Sequence, residues 1–444
     1  MELDYVNESL PRINKGQFVV ILLISIGATF ALWEFPVKFF GLIVAILFLA
    51  GVYNLPELGV GVFVNGLFLV GYLWRGFEIT YLITPLAVVL CTIGLSHYVW
   101  NNGLRWRFGV LPGLVLLIGL MLFMGSLYSP LPATGLERAG RYLSMNVYIF
   151  FATMLFANDL DRLANLMKVI ALLGMVTAAV SIVYLAWAGT EGIFRFALPL
   201  QNPIWFARGM GISLFATMFM VKQTRSKAER FLYLFFIPPM LFLLYIAASR
   251  GPLLAFLIAL IFYFFVLQRK RFSLFKKVTV VLLAYILLRL SIAIAPQHIW
   301  SRMANLFSGF DITALARLRA FEIAESLFLE NPIIGVGTGG FGHFSGLKYP
   351  HNIFLEFASE LGILGLLAFI VFIIYAAYLG TKLIRNKISS TLKLNLSKTY
   401  FTLFVFTLVN SQFSGEVHGN YELWFATAGI WTLYSTRYSV PQIR

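Results

Sequence analysis

The stretch IFLEFASELGILGLLAFIVFIIYAAYLG, residues 353–380, decides the fold. Its charges are Glu356 and Glu360, both in the first turns, and everything after them is apolar or small. A helix needs about 20 apolar residues to cross a bilayer, so this segment reads as a membrane-spanning helix with a polar entrance. Similar runs recur at 17–34, 38–54, 57–74, 78–97, 109–127, 143–158, 169–187, 204–221, 231–248, 252–267, 278–295, 399–414 and 423–436. Composition agrees with that reading. Of the 444 residues, 60% are hydrophobic and 12% charged, and the mean hydropathy is +0.84. Soluble domains carry about 45–50% apolar and about 25% charged residues. A water-soluble fold is therefore excluded, and the expectation is an all-α, polytopic transmembrane bundle of 12–14 spans forming one integral membrane domain over 1–444. The single cysteine, Cys91, rules out an intramolecular disulfide.

The net charge of +15 is explained by topology before nucleic acid, because no soluble reader fold accompanies it. Lys222, Arg225, Lys227 and Arg230 follow one span. Arg269, Lys270, Arg271, Lys276 and Lys277 follow another, and Lys382, Arg385, Lys387, Lys393 and Lys398 a third. With Arg105 and Arg107, these fall on one side if fourteen spans alternate. By the positive-inside rule that side is cytoplasmic and holds both termini. Residues 17–34 lack a small-residue cleavage site and read as a retained helix.

The opposite side carries one long connection, residues 296–350. Within it, ITALARLRAFEIAESLFLE (312–330) has apolar residues at roughly helical spacing, predicting an amphipathic helix on or near the membrane surface. The glycine-rich GVGTGGFGHFSG (335–346) follows, with backbone freedom but no phosphate-loop pattern. A long, partly helical loop in a chain of short loops is a candidate lid or platform.

Ionisable groups near a membrane are costly and mark substrate paths. On the outer side stand Arg250 in AASRGPLLAF, Arg195 in FRFALPLQNP, Arg208 just after it, and His351 at the start of the 353–380 span. Each has a plainer alternative: Arg250 as a snorkelling residue, Arg195 and Arg208 as braces of the outer loop, His351 as a helix cap. Arg289, Arg138 and Arg141 read more readily as structural. Helical spacing sets His351, Phe354 and Leu355 on one face, with Glu356 and Glu360 four apart on another. The two carboxylates suit the positive end of the helix dipole, or pair with the outer arginines. Arginine forks fit phosphate, and a histidine accepts a proton from a sugar hydroxyl near neutral pH. The outer face lacks an Asp-x-Asp pair and Asp311 stands alone, so no metal or other cofactor is expected.

Two segments resemble the O-antigen polymerase and ligase superfamily, integral membrane glycosyltransferases of the C type. One is Ser249-Arg250-Gly251 continuing to Leu254. The other is His351-Asn352, nine residues, then Gly362-Ile363-Leu364-Gly365. RFALPLQNPIWFARG, with an arginine ahead of Asn-Pro, is a weaker third similarity. The resemblance implies a bacterial inner-membrane enzyme with its active site facing the periplasm, using an undecaprenyl-diphosphate-linked glycan as donor without a metal and with inversion. His351 would activate the acceptor, and Arg250 with Arg195 or Arg208 would bind the diphosphate. Glu356 and Glu360 would assist at the diphosphate or glycan. The acceptor would be a second lipid-linked glycan in a polymerase or the lipid A core in a ligase, and a chain-length regulator would be a further partner. The closing segment FSGEVHGNYELWF (413–425) is more similar to polymerases, with Glu416 and His418 either contacting sugar or forming a plain surface turn. A transporter or flippase would show two related halves and broken helices at mid-depth; no repeat is visible in the chain. A structural scaffold would give no reason for Arg250 and His351 to stand where they do.

Overall fold

A computed structural model describes residues 51, 55–65, 83–103, 107–156, 159–188, 195–198, 201–268, 312–385 and 390–436. The expected spans 17–34 and 278–295, nearly all of 38–54, residues 296–311 of the long loop, Asp311 and Arg289 lie outside the described residues. Among the described residues there is no strand. The helices are α1 (Pro56–Asn65), α2 (Ile83–Asn102), α3 (Val110–Leu127), α4 (Pro132–Arg141), α5 (Tyr148–Met154), α6 (Leu160–Ala188) and α7 (Pro203–Gln223). They continue as α8 (Lys227–Ile246), α9 (Arg250–Ile261), α10 (Ile312–Glu330), α11 (Phe341–Ser345), α12 (Ile353–Arg385), α13 (Thr391–Asn410) and α14 (Tyr421–Ser435). Wider π-type turns at Tyr142–Val147 and Phe262–Leu267 lead into α5 and extend α9. Six helical segments among the described residues are long and apolar enough to cross a membrane: α3, α6, α7, α8, α9 with its extension, and α12. The chain is an all-α polytopic membrane protein.

Local sequence sets the helix starts. The Asn202 side chain accepts a hydrogen bond from the Ile204 amide at 2.9 Å, with Pro203 in the first turn of α7. Ser226 and Ser390 cap α8 and α13 in the same way. Helix α13 is polar for a buried helix, and it answers its own polarity. Thr399, Thr402 and Thr407 each return a hydroxyl to the carbonyl four residues back, which removes the cost of a bare hydroxyl in an apolar interior.

Helices α13 and α14 pair at the centre, with α7 and α9 against α13 and α12 against both. The indole of Trp424 on α14 is fully buried. It donates to the Tyr142 hydroxyl at 3.0 Å, which in turn donates to the Val115 carbonyl at 3.0 Å. Lysines gather at one end: Lys222 on the Tyr263 hydroxyl, Lys398 on Gln268 at 3.2 Å, and Lys382 on the Tyr434 hydroxyl at 3.2 Å. The starts of α7, α9, α12 and α14 lie at the other.

Helix α10 occupies the span expected of it, but its packing differs from a helix floating on a surface. Ala320, Ala324 and Leu327 form a small core with Val336 and Phe341, against which Leu355 packs. Leu315, Leu318 and Leu329 are exposed on the opposite side. Apolar residues thus occupy both faces, and the helix is held by α12 rather than by one amphipathic stripe.

Candidate active site at one end of the bundle

The segment Ser411–Asn420, between α13 and α14, is where the site is assembled. Its Ser411 carbonyl accepts from the Ile353 amide at 3.0 Å, at the first residue of α12. Gly251, next to Arg250, faces Phe413 so closely that a Cβ there would stand 2.8 Å from the Phe413 Cβ. The two motif-bearing helix starts therefore converge on three consecutive residues. Arg195 joins the same end: its Nη2 donates to the Ser249 hydroxyl at 2.9 Å, and the neighbouring Phe196 amide donates to the Ile246 carbonyl at 3.0 Å. Arg195 and Arg250 thus flank one serine.

Arg208 reaches the later part of the same segment. It is 2% exposed, and its fork donates to the Gly419 carbonyl (3.0 Å), the Ser414 carbonyl (2.6 Å) and Asn420 Oδ1 (2.7 Å), with Glu422 at 3.7 Å. The guanidinium acts as an internal peg that shapes the 414–422 turn.

His351 is not part of α12. Its φ is +62°, a left-handed conformation that side chains with a Cβ rarely adopt. The cap is the next residue: Asn352 Oδ1 accepts from the Phe354 amide at 3.0 Å and the Leu355 amide at 3.2 Å. This corrects both the cap reading of His351 and its placement on a helical face with Phe354 and Leu355. It also explains the asparagine of the motif. The His351 ring meets Tyr349 edge-on at 4.5 Å, and its buried Nδ1 has no hydrogen-bond partner among the described residues. Burial holds the His351 pKa below the ordinary value of 6.5, and the positive charge of Arg317 on α10 lowers it further. Arg317 lies three residues before Ala320 and seven before Ala324, on the stripe that packs toward α12. Its role was not legible in the sequence, where it is one charge among several on a long loop; helical register with Ala320 and Ala324 was the available signal.

A second residue the sequence undervalued is Arg138 on α4. It is buried, not a loop charge. Its Nη1 donates to Glu360 Oε1 at 3.0 Å and stands 3.7 Å from Glu356, its Nε stands 3.5 Å from Glu416, and its Nη2 donates to the Lys348 carbonyl. Burial opposes its charge, and Glu360, Glu356 and Glu416 outweigh that opposition, so its pKa lies above the usual arginine value. Glu356 and Glu360 are 3% and 2% exposed and face this guanidinium. The plain-surface-turn reading of Glu416 and His418 is also corrected: His418 is buried, and its Nε2 lies 3.0 Å from Glu416 Oε1. Burial works against ionisation of Glu416, but the His418 hydrogen bond and the charges of His418, Arg138 and Arg141 prevail, and its pKa falls below the usual carboxylate value. Arg141 itself is exposed and pairs with Glu137 at 2.5 Å.

The glycines of the motifs have a steric purpose. Helix α12 kinks at Gly362, where φ is +62° and a Cβ would collide with the backbone of Ile333 and Ile334. The kink frees the carbonyls of Ser359 and Glu360, and the glycine-rich turn answers them: Val336 and Gly337 amides donate to them at 2.9 Å each. The Thr338 amide goes to the Gly125 carbonyl at 3.1 Å and the Gly339 amide to Glu360 Oε2 at 2.8 Å. These donors are committed within the protein, so the turn buttresses the kink and is not a phosphate cradle.

No curated protein matches the chain. Residues 234–370 match the family model described as O-Antigen ligase, a stretch that holds Arg250, Arg317, His351, Glu356 and Glu360 and leaves out Arg138, Arg195, Arg208, Glu416 and His418. That match supports the O-antigen polymerase and ligase superfamily as the family of this multi-pass membrane protein, and with it an O-antigen ligase- or polymerase-type role in surface-polysaccharide assembly.

Proposed function

We propose that this protein is a polymerase-type membrane glycosyltransferase that transfers an undecaprenyl-diphosphate-linked glycan to a hydroxyl of an acceptor glycan, at the periplasmic face of a bacterial inner membrane. The observation that carries the transferase reading is the convergence of the Arg195–Ser249–Arg250 cluster and the His351 turn on residues 411–413, and the lean to polymerase rests on the similarity of residues 413–425 to polymerases. The convergence supplies cationic forks and a neutral base at one end of an apolar bundle, the end away from the clustered lysines.

In the proposed reaction His351, neutral because burial and Arg317 disfavour its charged form, takes the proton from the acceptor hydroxyl. That oxygen attacks the anomeric carbon of the donor as the bond from this carbon to the diphosphate oxygen breaks. The electron pair leaves with the diphosphate, whose charge Arg195, Arg250 and Arg317 offset. Attack opposite the leaving group inverts the anomeric centre, and charge offset by arginines needs no metal. Of the two arginines near the Asn-Pro dipeptide, Arg195 is assigned to the donor and Arg208 to loop architecture, because the Arg208 fork is committed to carbonyls and Asn420. Glu356 and Glu360 are assigned an indirect part, through Arg138.

The test is transfer by the purified protein from a lipid-linked donor, offered a second lipid-linked glycan or lipid A core. Extension of the lipid-linked glycan, lost in His351→Ala with folding intact, is expected. Consumption of the core instead makes the protein a ligase, the second reading, which the description of the matched family favours. Transfer at the wild-type rate by His351→Ala removes the histidine from the mechanism.

A further inference from the structure

His351 keeps a backbone conformation that a residue with a Cβ avoids, and such strain persists where the surroundings over-determine it. Downstream the determinants are the Asn352 cap and the Ile353 amide bonded to the Ser411 carbonyl. Upstream, three residues before His351, the Lys348 carbonyl is held by Arg138. The same guanidinium reaches the first two turns of α12 through Glu360 and Glu356, and the 411–420 segment through Glu416. Its main anchor is itself fixed, because the Gly339 amide holds the other oxygen of Glu360 at 2.8 Å.

We propose that Arg138 is the positioning residue of His351: one planar fork ties together the chain before the histidine, the helix after it and the loop on which the arginine-bearing α9 also rests. The proposal builds on the transfer reading above and adds a residue outside the matched family region. A lysine in its place would preserve the charge but, as a single ammonium on a flexible stem, could not hold four acceptors in fixed directions. Full removal of the charge would strand three carboxylates around one point and threaten folding, so the conservative variant carries the test.

The experiment uses full-length protein with histidine labelled at ring carbon Cε1. The chain has five histidines, and loss of one signal in His351→Ala assigns the resonance. In Arg138→Lys the His351 resonance is expected to move or broaden, and kcat to fall tenfold or more, with KM for the lipid-linked donor within twofold of wild type. Glu416→Gln, which removes one partly exposed anchor, should change both readings in the same direction but less. Lys227→Gln, at an exposed position at the lysine-rich end of the bundle, should change neither. An unmoved His351 signal, or a kcat within twofold of wild type, overturns the proposal. So does a raised donor KM at unchanged kcat, which would make Arg138 a direct ligand. If the His351 signal moves in Arg138→Lys while the wild-type protein transfers no glycan, the positioning stands and the transfer reading fails.

Discussion

In the proposed mechanism His351 is the base, and its surroundings set its availability. A neutral imidazole would accept the acceptor proton, and burial, with the charge of Arg317, holds the His351 pKa below the ordinary value of 6.5. The acid limb of kcat/KM, which reports the free enzyme, should therefore have its midpoint below 6.5. Arg317→Gln removes a positive charge, so the His351 pKa should rise and the limb should move toward 6.5, while burial still holds it under that value. A limb that stays in place in Arg317→Gln would separate Arg317 from the histidine. Arg208 gives a contrasting expectation. Arg208→Met leaves Glu422 buried without its cation and strips the Gly419 and Ser414 carbonyls of donors, at a cost of roughly 3–5 kcal/mol. Thermal unfolding should show a large drop in Tm. Unchanged stability with a raised donor KM would instead return Arg208 to the diphosphate.

The kinked helix is the element on which the site depends. Gly362 combines a left-handed φ with backbone contact to Ile333 and Ile334. In Gly362→Ala the conformation alone costs about 1–2 kcal/mol, and the new methyl must push the 333–334 backbone aside. A drop in Tm is expected, with a loosened turn at 335–340. Gly113 on α3 is the control: a Cβ there meets nothing within 4 Å. Gly113→Ala should be neutral or slightly stabilising, since alanine favours a helix interior by roughly 0.5–1 kcal/mol over glycine. Equal effects at the two positions would show that the kink has no special demand. Six of the expected spans were legible in the sequence, because long apolar runs have few solutions in a membrane. The kink inside one of them was not, because a glycine in an apolar run is also an ordinary packing residue.

Across the whole molecule, the lysine-rich end and the site end should face opposite compartments. Cys91 is buried and the chain has no other cysteine, so Cys91→Ser provides a clean background. A single cysteine at exposed Lys227 or exposed Lys348 then reports its side to a membrane-impermeant thiol reagent. In intact cells stripped of their outer barrier, Lys348→Cys should label and Lys227→Cys should label only after lysis. Labelling of both before lysis would break the assigned topology.

The sequence by itself determined that the chain is a helical membrane protein and singled out Arg250 and His351 as candidate site residues. Apolar run length and the scarcity of charge are local quantities, and the two motifs are contiguous. Tertiary structure decided which charges serve which purpose. Arg195 and Arg208 are 13 residues apart and similar on paper, yet one sits beside Ser249 and the other is sealed under the 414–422 turn. Arg138 has the charge of any loop arginine until Glu356, Glu360 and Glu416 are brought around it from segments more than 200 residues away. A guanidinium has the same chemistry in every position. Its partners assign its function, and packing chooses the partners.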